Sequence, residues 1–290
     1  MTITEEVGTA KATKLHRPYS RIRNKPERSV TEIIGLKSIG GLPWAAARET
    51  AEFAVRHQNE WVFLDEEEAV DRLRLHHRGV WDSRAAIGTA THAVMEAWFA
   101  GVTVDLCEVV CDLAENDRSA KSWQGHEDEM TERLVPYIDG LEKWWNDWTP
   151  SGGTAEDCIR TPGVYVGQRD RWGVEMNGHT WGLDLKTTAE LDGSKALYLD
   201  SWTLQLSAYS RAEQIVDYGL DEKDKVVELG TRPNEPVERH GIVHLRGDGE
   251  YALYPVEVTD ASYEAFLGLA RVGEWLRMIE KITPTPAALS

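Results

Sequence analysis

The dipeptide Asn177-Gly178 sits between two runs of β-forming residues and restricts the fold more than any other feature of the chain. Asn and Gly both tolerate left-handed backbone, so the pair reverses a strand on itself. Val164 to Val174 leads into this reversal and His179 to Thr187 leads out of it. With Thr154 to Arg160 upstream, three successive strands are expected. Loop length then decides which side chains share a face. A three-residue loop, Met176-Asn177-Gly178, pairs Glu175 with His179 and Asp170 with Asp184. A two-residue loop pairs Asp170 with Leu185 and turns the two acids to opposite faces. A bulge at Gly173 would shift the register again. The sequence leaves these alternatives open.

Upstream of the turn cluster Thr149-Pro-Ser-Gly-Gly-Thr154 the pattern is helical. Ser29-Val-Thr-Glu-Ile-Ile marks the entrance to the folded part. Helices are expected from Pro43 to about His57, from Glu66 to His77, from about Asp82 to Phe99, and from Gly125 to Trp148, the last with a bend at Pro136. Downstream of the strands, a helix is expected from Trp202 to Tyr218, strands at Gly241 to Leu245 and Tyr251 to Val258, and a closing helix from Ala261 to Lys281. The class is therefore α/β, a sheet flanked by helices behind a helical N-terminal half. Residues 1–28 read as a flexible basic segment, 29–150 as the helical part and 151–290 as the α/β core, with 29–290 one structural unit.

Composition removes several function classes. No apolar run approaches the ~20 residues needed to span a bilayer, and the N-terminus lacks a secretory pattern. A soluble, cytoplasmic protein without a membrane partner is expected. The three cysteines, Cys107, Cys111 and Cys158, make no disulfide framework; Cys107 and Cys111, four apart, are expected as small core side chains. The net charge of −17 argues against phosphate binding in general. Lys11, Lys14, Arg17, Arg21, Arg23, Lys25 and Arg28 nevertheless form a basic run, either a solvated tail or an arm on DNA. Phosphate-loop, serine-hydrolase and zincin motifs are absent.

The chemistry-bearing stretch is Gly182-Leu-Asp-Leu-Lys-Thr-Thr188. On a strand, Asp184 and Lys186 point to one side while Leu183 and Leu185 point into a core. A second acid, Asp170, lies across the reversal. Two close carboxylates repel unless a cation sits between them, and oxygen ligands suit Mg²⁺ or Mn²⁺. An Asp-x-Lys tripeptide alone is common and equally describes an exposed pair on a solvated strand. Trp144, Trp145 and Trp148 cluster on one expected helix, where packing is the commoner use and base stacking the alternative.

Four motifs in order add to this: Gly88-Thr-Ala-Thr-His92, Gly167-Gln-Arg-Asp170, Asp184-Leu-Lys186-Thr and Gln205-Leu-Ser-Ala-Tyr209. The set resembles the RecB-type branch of the PD-(D/E)XK nucleases, a group that includes lambda-type exonucleases. Upstream, Ser29-Val-Thr-Glu-Ile-Ile-Gly, Pro43-Trp-Ala-Ala and Glu49-Thr-Ala-Glu resemble actinobacteriophage exonucleases grouped with the CRISPR-associated adaptation nucleases. The resemblance implies a central mixed sheet and metal ligation by Asp170, Asp184, His92 and the Leu185 carbonyl. It also implies a catalytic Lys186. Gln205 and Tyr209 would contact DNA or support the lysine, Gly88 would let its helix approach closely, and Glu156, with Asp157 beside it, would be the acid before the first Asp strand.

The implied function is a Mg²⁺- or Mn²⁺-dependent DNA exonuclease in phage recombination, repair or end processing, working as a homo-oligomer or with a recombination partner protein, in host cytoplasm if phage-encoded. A structure-specific endonuclease and an inactive DNA-end-binding module are the alternatives. Two features depart from the family pattern. Arg169 and Arg171 flank Asp170, and no cysteine follows Cys158, so an iron–sulfur cluster is not expected.

Overall fold

The computed structural model describes residues 27–37, 41–188, 199–221, 223 and 225–280. Its elements are β1 (Arg28–Ser29), α1 (Val30–Gly35), α2 (Gly41–Arg56), α3 (Glu66–Phe99), α4 (Leu106–Asn116), α5 (Glu127–Trp148), β2 (Thr154–Thr161), β3 (Tyr165–Met176) and β4 (His179–Thr188). They continue with α6 (Leu199–Arg211), β5 (Gln214–Leu220), β6 (Val226–Pro233), β7 (Arg239–Arg246), β8 (Tyr251–Pro255) and α7 (Asp260–Glu280).

The strands make one mixed eight-stranded sheet in the order β6-β5-β2-β3-β4-β7-β8, with β1 added in parallel at the start of β3. β4 and β7 run parallel, and the other neighbours along the path are antiparallel. Ile87, Leu134 and Trp144 from α3 and α5 close one face over Leu183, Leu185 and Val243. Ile33, Leu206 and Phe266 from α1, α6 and α7 close the other over Ile159 and Ile242. Helices thus cover both faces, as an α/β fold with a helical first half requires. Among the described residues no helix is long and apolar enough to cross a membrane.

Local signals explain most boundaries. At α1, the Ser29 hydroxyl accepts from Glu32 N–H and the Glu32 carboxylate accepts from Ser29 N–H, a reciprocal cap that fixes where the helix starts. At α3, Asp65 caps the first turn and Glu66, Glu67 and Glu68 favour the positive end of the helix dipole. The basic segment expected over 1–28 lies outside the described residues except for its last two. Glu27 is buried and accepts from Gly163 N–H, and Arg28 pairs with Tyr165.

Three expectations need correction. The helices expected from Glu66 and from Asp82 are one helix of 34 residues. Inside it Ser83 is buried, and its hydroxyl accepts from Trp123 Nε1 at 3.2 Å. A tertiary partner, not a cap, accounts for its presence there. The helix expected to reach Tyr218 ends at Arg211, and Gln214–Leu220 is a strand inserted between β2 and β6. Ala208, Ala212 and Ile215 keep a helical spacing, yet the β-branched Ile215-Val216 pair completes the sheet beside Ile159 and Cys158. Third, Cys107 is exposed and Cys111 partly so, hence neither is a core side chain. The Trp cluster on α5 takes the commoner of its two expected uses and packs: Trp144 is fully buried, Trp145 packs edge-on against Phe99, and Trp148 packs edge-on against Trp181.

The Asn177-Gly178 reversal has two residues, since Met176 pairs with His179. Both turn residues have positive φ, 49° and 74°. Taken alone this loop would set the two acids on opposite faces. A bulge at Gly173 (φ 74°) restores the count, so that Trp172 pairs with Gly182 and Arg171 with Leu183. The switch of face is visible in the cores: Trp172 belongs to the α6–α7 side, whereas Val174 and Met176 belong to the α3–α5 side. Gly173→Ala forces a side chain into left-handed backbone and should lower stability by about 1–2 kcal/mol, measured by urea unfolding; an unchanged midpoint would show that the bulge does not need its glycine.

Candidate metal centre at the fork of the sheet

The strands that carry the two acids part at the point where the acids lie. The last β3–β4 pair is Arg171 with Leu183, and continuing that register sets Asp170 opposite Asp184. Beyond this point β3 keeps β2 as neighbour and β4 keeps β7. The Asp170 carboxylate fills the gap, with Oδ2 accepting from Leu185 N–H at 2.7 Å. A side chain thereby satisfies a backbone donor that lacks its strand partner.

Other groups converge on the fork. His92, largely buried on α3, brings Nε2 to 3.7 Å from Asp170 Oδ2, and its ring hydrogen-bonds the Leu185 backbone. On β2, the register between Ala155–Arg171 and Asp157–Arg169 sets Glu156 opposite Asp170. Glu156 has φ 55°, a left-handed conformation that costs a non-glycine residue about 1 kcal/mol or more. Ligand atoms of His92, Glu156 and Asp170 lie within 4.8 Å of one another.

Asp184 is wholly buried and forms an ion pair with Lys186. Gln205 Nε2 donates to Asp184 Oδ1 at 2.9 Å and to the Tyr209 hydroxyl at 2.8 Å. Leu183 and Leu185 point into the opposite core, as strand alternation demands.

Burial dominates the electrostatics. It pushes the carboxyls of Asp170 and Asp184 up to about 6. Lys186 opposes the rise in both, while Glu156 adds to it at Asp170 and Asp170 adds to it at Asp184. Burial also lowers the His92 imidazole below its usual range, against the pull of Glu156, and so favours the neutral form that can donate a lone pair. Crowded acids, a neutral imidazole and a backbone carbonyl make a donor set that fits a hard divalent ion. Oxygen ligands suit Mg²⁺ and Mn²⁺, and the imidazole leans toward Mn²⁺. His92, Glu156 and Asp170 are the residues whose ligand atoms gather closely enough to hold one, with the Leu185 carbonyl beside His92; Asp184 lies alongside, engaged by Lys186 and Gln205.

Several sequence expectations are refined here. Asp157 is not the ligand candidate, because Arg169 donates to its Oδ2 at 2.8 Å. Arg169 also stacks on Trp172 and bonds Asn234, while Arg171 lies over Phe99 and donates to Gly152 O. Tyr209 is buried and orients Gln205 toward Asp184, so it is a support, not a surface for DNA. Gly88 is not required for close approach, since a Cβ there would meet only Thr187 Oγ1 at an ordinary 3.4 Å. The close approach is at Gly167 instead, where a Cβ would press on Val30, Ile159 and the Tyr209 ring at 3.0–3.2 Å and these side chains would have to give way. The position of Glu156 has its own signal in the sequence. A three-residue loop at Pro162-Gly163-Val164 pairs Thr161 with Tyr165 and counts back to Glu156 opposite Asp170.

No protein-family model matches the chain, and no curated protein matches it. Among solved structures, it is similar to SSO0001 with a TM-score of 0.29 and 15% identity, over 58% of this chain and 74% of that one.

The folded carboxyls of Asp170 and Asp184 titrate above the 3.8 of an ordinary aspartate. The native state therefore binds these protons more tightly than the unfolded chain. The stability they contribute is present below about pH 4 and is lost as pH rises through about 6. Asp170→Asn keeps an oxygen for Leu185 N–H and removes the charge. In EDTA at neutral pH it should raise stability by on the order of 1 kcal/mol or more, and it should abolish any stabilisation by Mn²⁺. Thermal melts with EDTA and with Mn²⁺ check both parts; a variant less stable than the parent in EDTA would overturn the burial argument.

Proposed function

We propose that this chain is a divalent-cation-dependent deoxyribonuclease that hydrolyses phosphodiester bonds at DNA ends. The observation that carries the reading is the meeting of Asp170 with Asp184 and Lys186 at one fork, with His92 and Glu156 closing the same site. The ordered resemblance to RecB-type nucleases supplies the substrate class.

A bound Mg²⁺ or Mn²⁺ would polarise a phosphate and ease deprotonation of water. The chain's own residues do the rest. Asp170 and Glu156 offer carboxylate oxygens, and His92 is held neutral. Leu185 N–H fixes the Asp170 carboxylate, and Gln205, itself held by Tyr209, fixes that of Asp184. Lys186 is the cation nearest the acids and is suited to stabilise charge developing on phosphate.

Incubation with linear and closed circular DNA in Mg²⁺ or Mn²⁺ tests the reading. Loss of linear DNA alone is expected. Cutting of circles would make the enzyme an endonuclease with the same centre, and DNA binding without cutting by any divalent ion would make it a binding module. Lys186→Met should lower the rate by about 10²-fold or more while cation binding is kept. His92→Ala and Asp184→Asn should weaken cation binding itself, seen as loss of the Mn²⁺-induced thermal shift.

A further inference from the structure

Helix α3 carries a second set of residues along the line that leads to His92. At 3.6 residues per turn, Arg78, Trp81, Ala85, Gly88 and His92 fall within one narrow stripe. Between Trp81 and His92 the stripe is open or half-open to solvent. At its far end lies an open cleft of about 460 Å³, lined by Arg78, Trp81, Asp82, Asp117, Arg118 and Ser119. That volume lies within the ~300–1,000 Å³ of small-molecule sites.

The lining has two parts of interest. Trp81 offers an aromatic surface, with His77 against it at a ring separation of 5.1 Å and an interplanar angle of 77°. Arg78 and Arg118 line the same cleft, from α3 and from the turn that follows α4. Of the acids in the cleft, Asp117 is already engaged: its Oδ1 accepts from the backbone N–H and the hydroxyl of Ser119. Asp82 is exposed to solvent. A chain with a net charge of −17 thus places a pair of guanidinium groups beside an indole, on the same helix line as its candidate metal centre.

We infer that this cleft binds a flanking nucleotide of a single-stranded stretch of the substrate, with the base stacked on Trp81 and the neighbouring phosphate held by Arg78 and Arg118. Eleven residues of helix separate Trp81 from His92, about 16 Å of rise. That distance equals about five stacked nucleotides at ~3.4 Å each, and fewer in an extended strand. Stacking favours single strands, because inside a duplex each base face is already covered by its neighbours and only the terminal pair is open. The inference rests on the nuclease reading for the direction of the strand, but its test is one of binding.

The test measures fluorescence anisotropy of a labelled oligothymidylate of about 15 nucleotides and of a blunt duplex of the same length, in Ca²⁺ and at several salt concentrations. Trp81→Ala should weaken single-strand binding roughly tenfold or more, and Trp81→Phe should recover most of it. Arg78→Ala with Arg118→Ala should flatten the slope of log affinity against log salt by about 1 unit or more. Duplex affinity should change far less. Equal loss for single strand and duplex, or no change in either, would overturn the inference. The Mn²⁺-induced thermal shift should be kept in every variant, and its loss would show that the change had reached the fork and would overturn the separation of the two sites. Failure of the nuclease reading shows elsewhere, as absence of cleavage by the unsubstituted protein, and leaves the binding comparison intact.

Discussion

The hydrogen bond from Leu185 N–H to the Asp170 carboxylate is the contact on which the rest of the site depends. Where β3 and β4 separate, a backbone donor loses its strand partner, and an unsatisfied buried donor costs about 1–3 kcal/mol. Asp170 meets that need and is drawn into the fork in doing so. The same geometry leaves the Leu185 carbonyl next to His92 and brings Asp184 alongside. One side chain thus meets a requirement of sheet structure and supplies the carboxylate that the proposed cation centre would use.

The arginines around the fork matter through where they do not go. Either Arg169 or Arg171, turned toward Asp170, would neutralise the acids. Arg169 is instead committed to Asp157, Asn234 and the face of Trp172, and Arg171 to Gly152 O, Phe99 and, at 3.8 Å, Glu96. Asp157 acts as the decoy that separates this structural charge from Glu156 next to it. Negative charge at the fork is then offset from within mainly by Lys186, and it is burial that keeps the carboxyls of Asp170 and Asp184 raised against the pull of that lysine.

Much of this was legible in the residues and some of it was not. Strand alternation alone put Asp184 and Lys186 on one side and Leu183 and Leu185 on the other. The ordered motifs singled out His92 and Gln205. Register was the illegible part, because loop length and bulge each move the pairing by one residue. Here a two-residue turn and the Gly173 bulge act together and reach the pairing that a three-residue loop would have given. Tyr209 illustrates a different limit: helical spacing puts it on a face with Gln205, but only packing against Gly167 shows that it is buried. Gln214–Leu220 illustrates a third, where spacing suited a helix and the sheet supplied a better partner.

The parallel contact between β4 and β7 has a consequence for the order of assembly. The strands bearing Glu156, Asp170 and Asp184 follow one another as a meander with short turns, a local structure that closes quickly. β7 reaches the far side of β4 only after about fifty further residues, which include α6 and the β5–β6 pair. A meander that closed first would gather three acids before the flanking strand and Gln205 arrived to shelter them. A divalent ion that met the chain at that stage would hold the meander together while the remainder of the sheet was still being added.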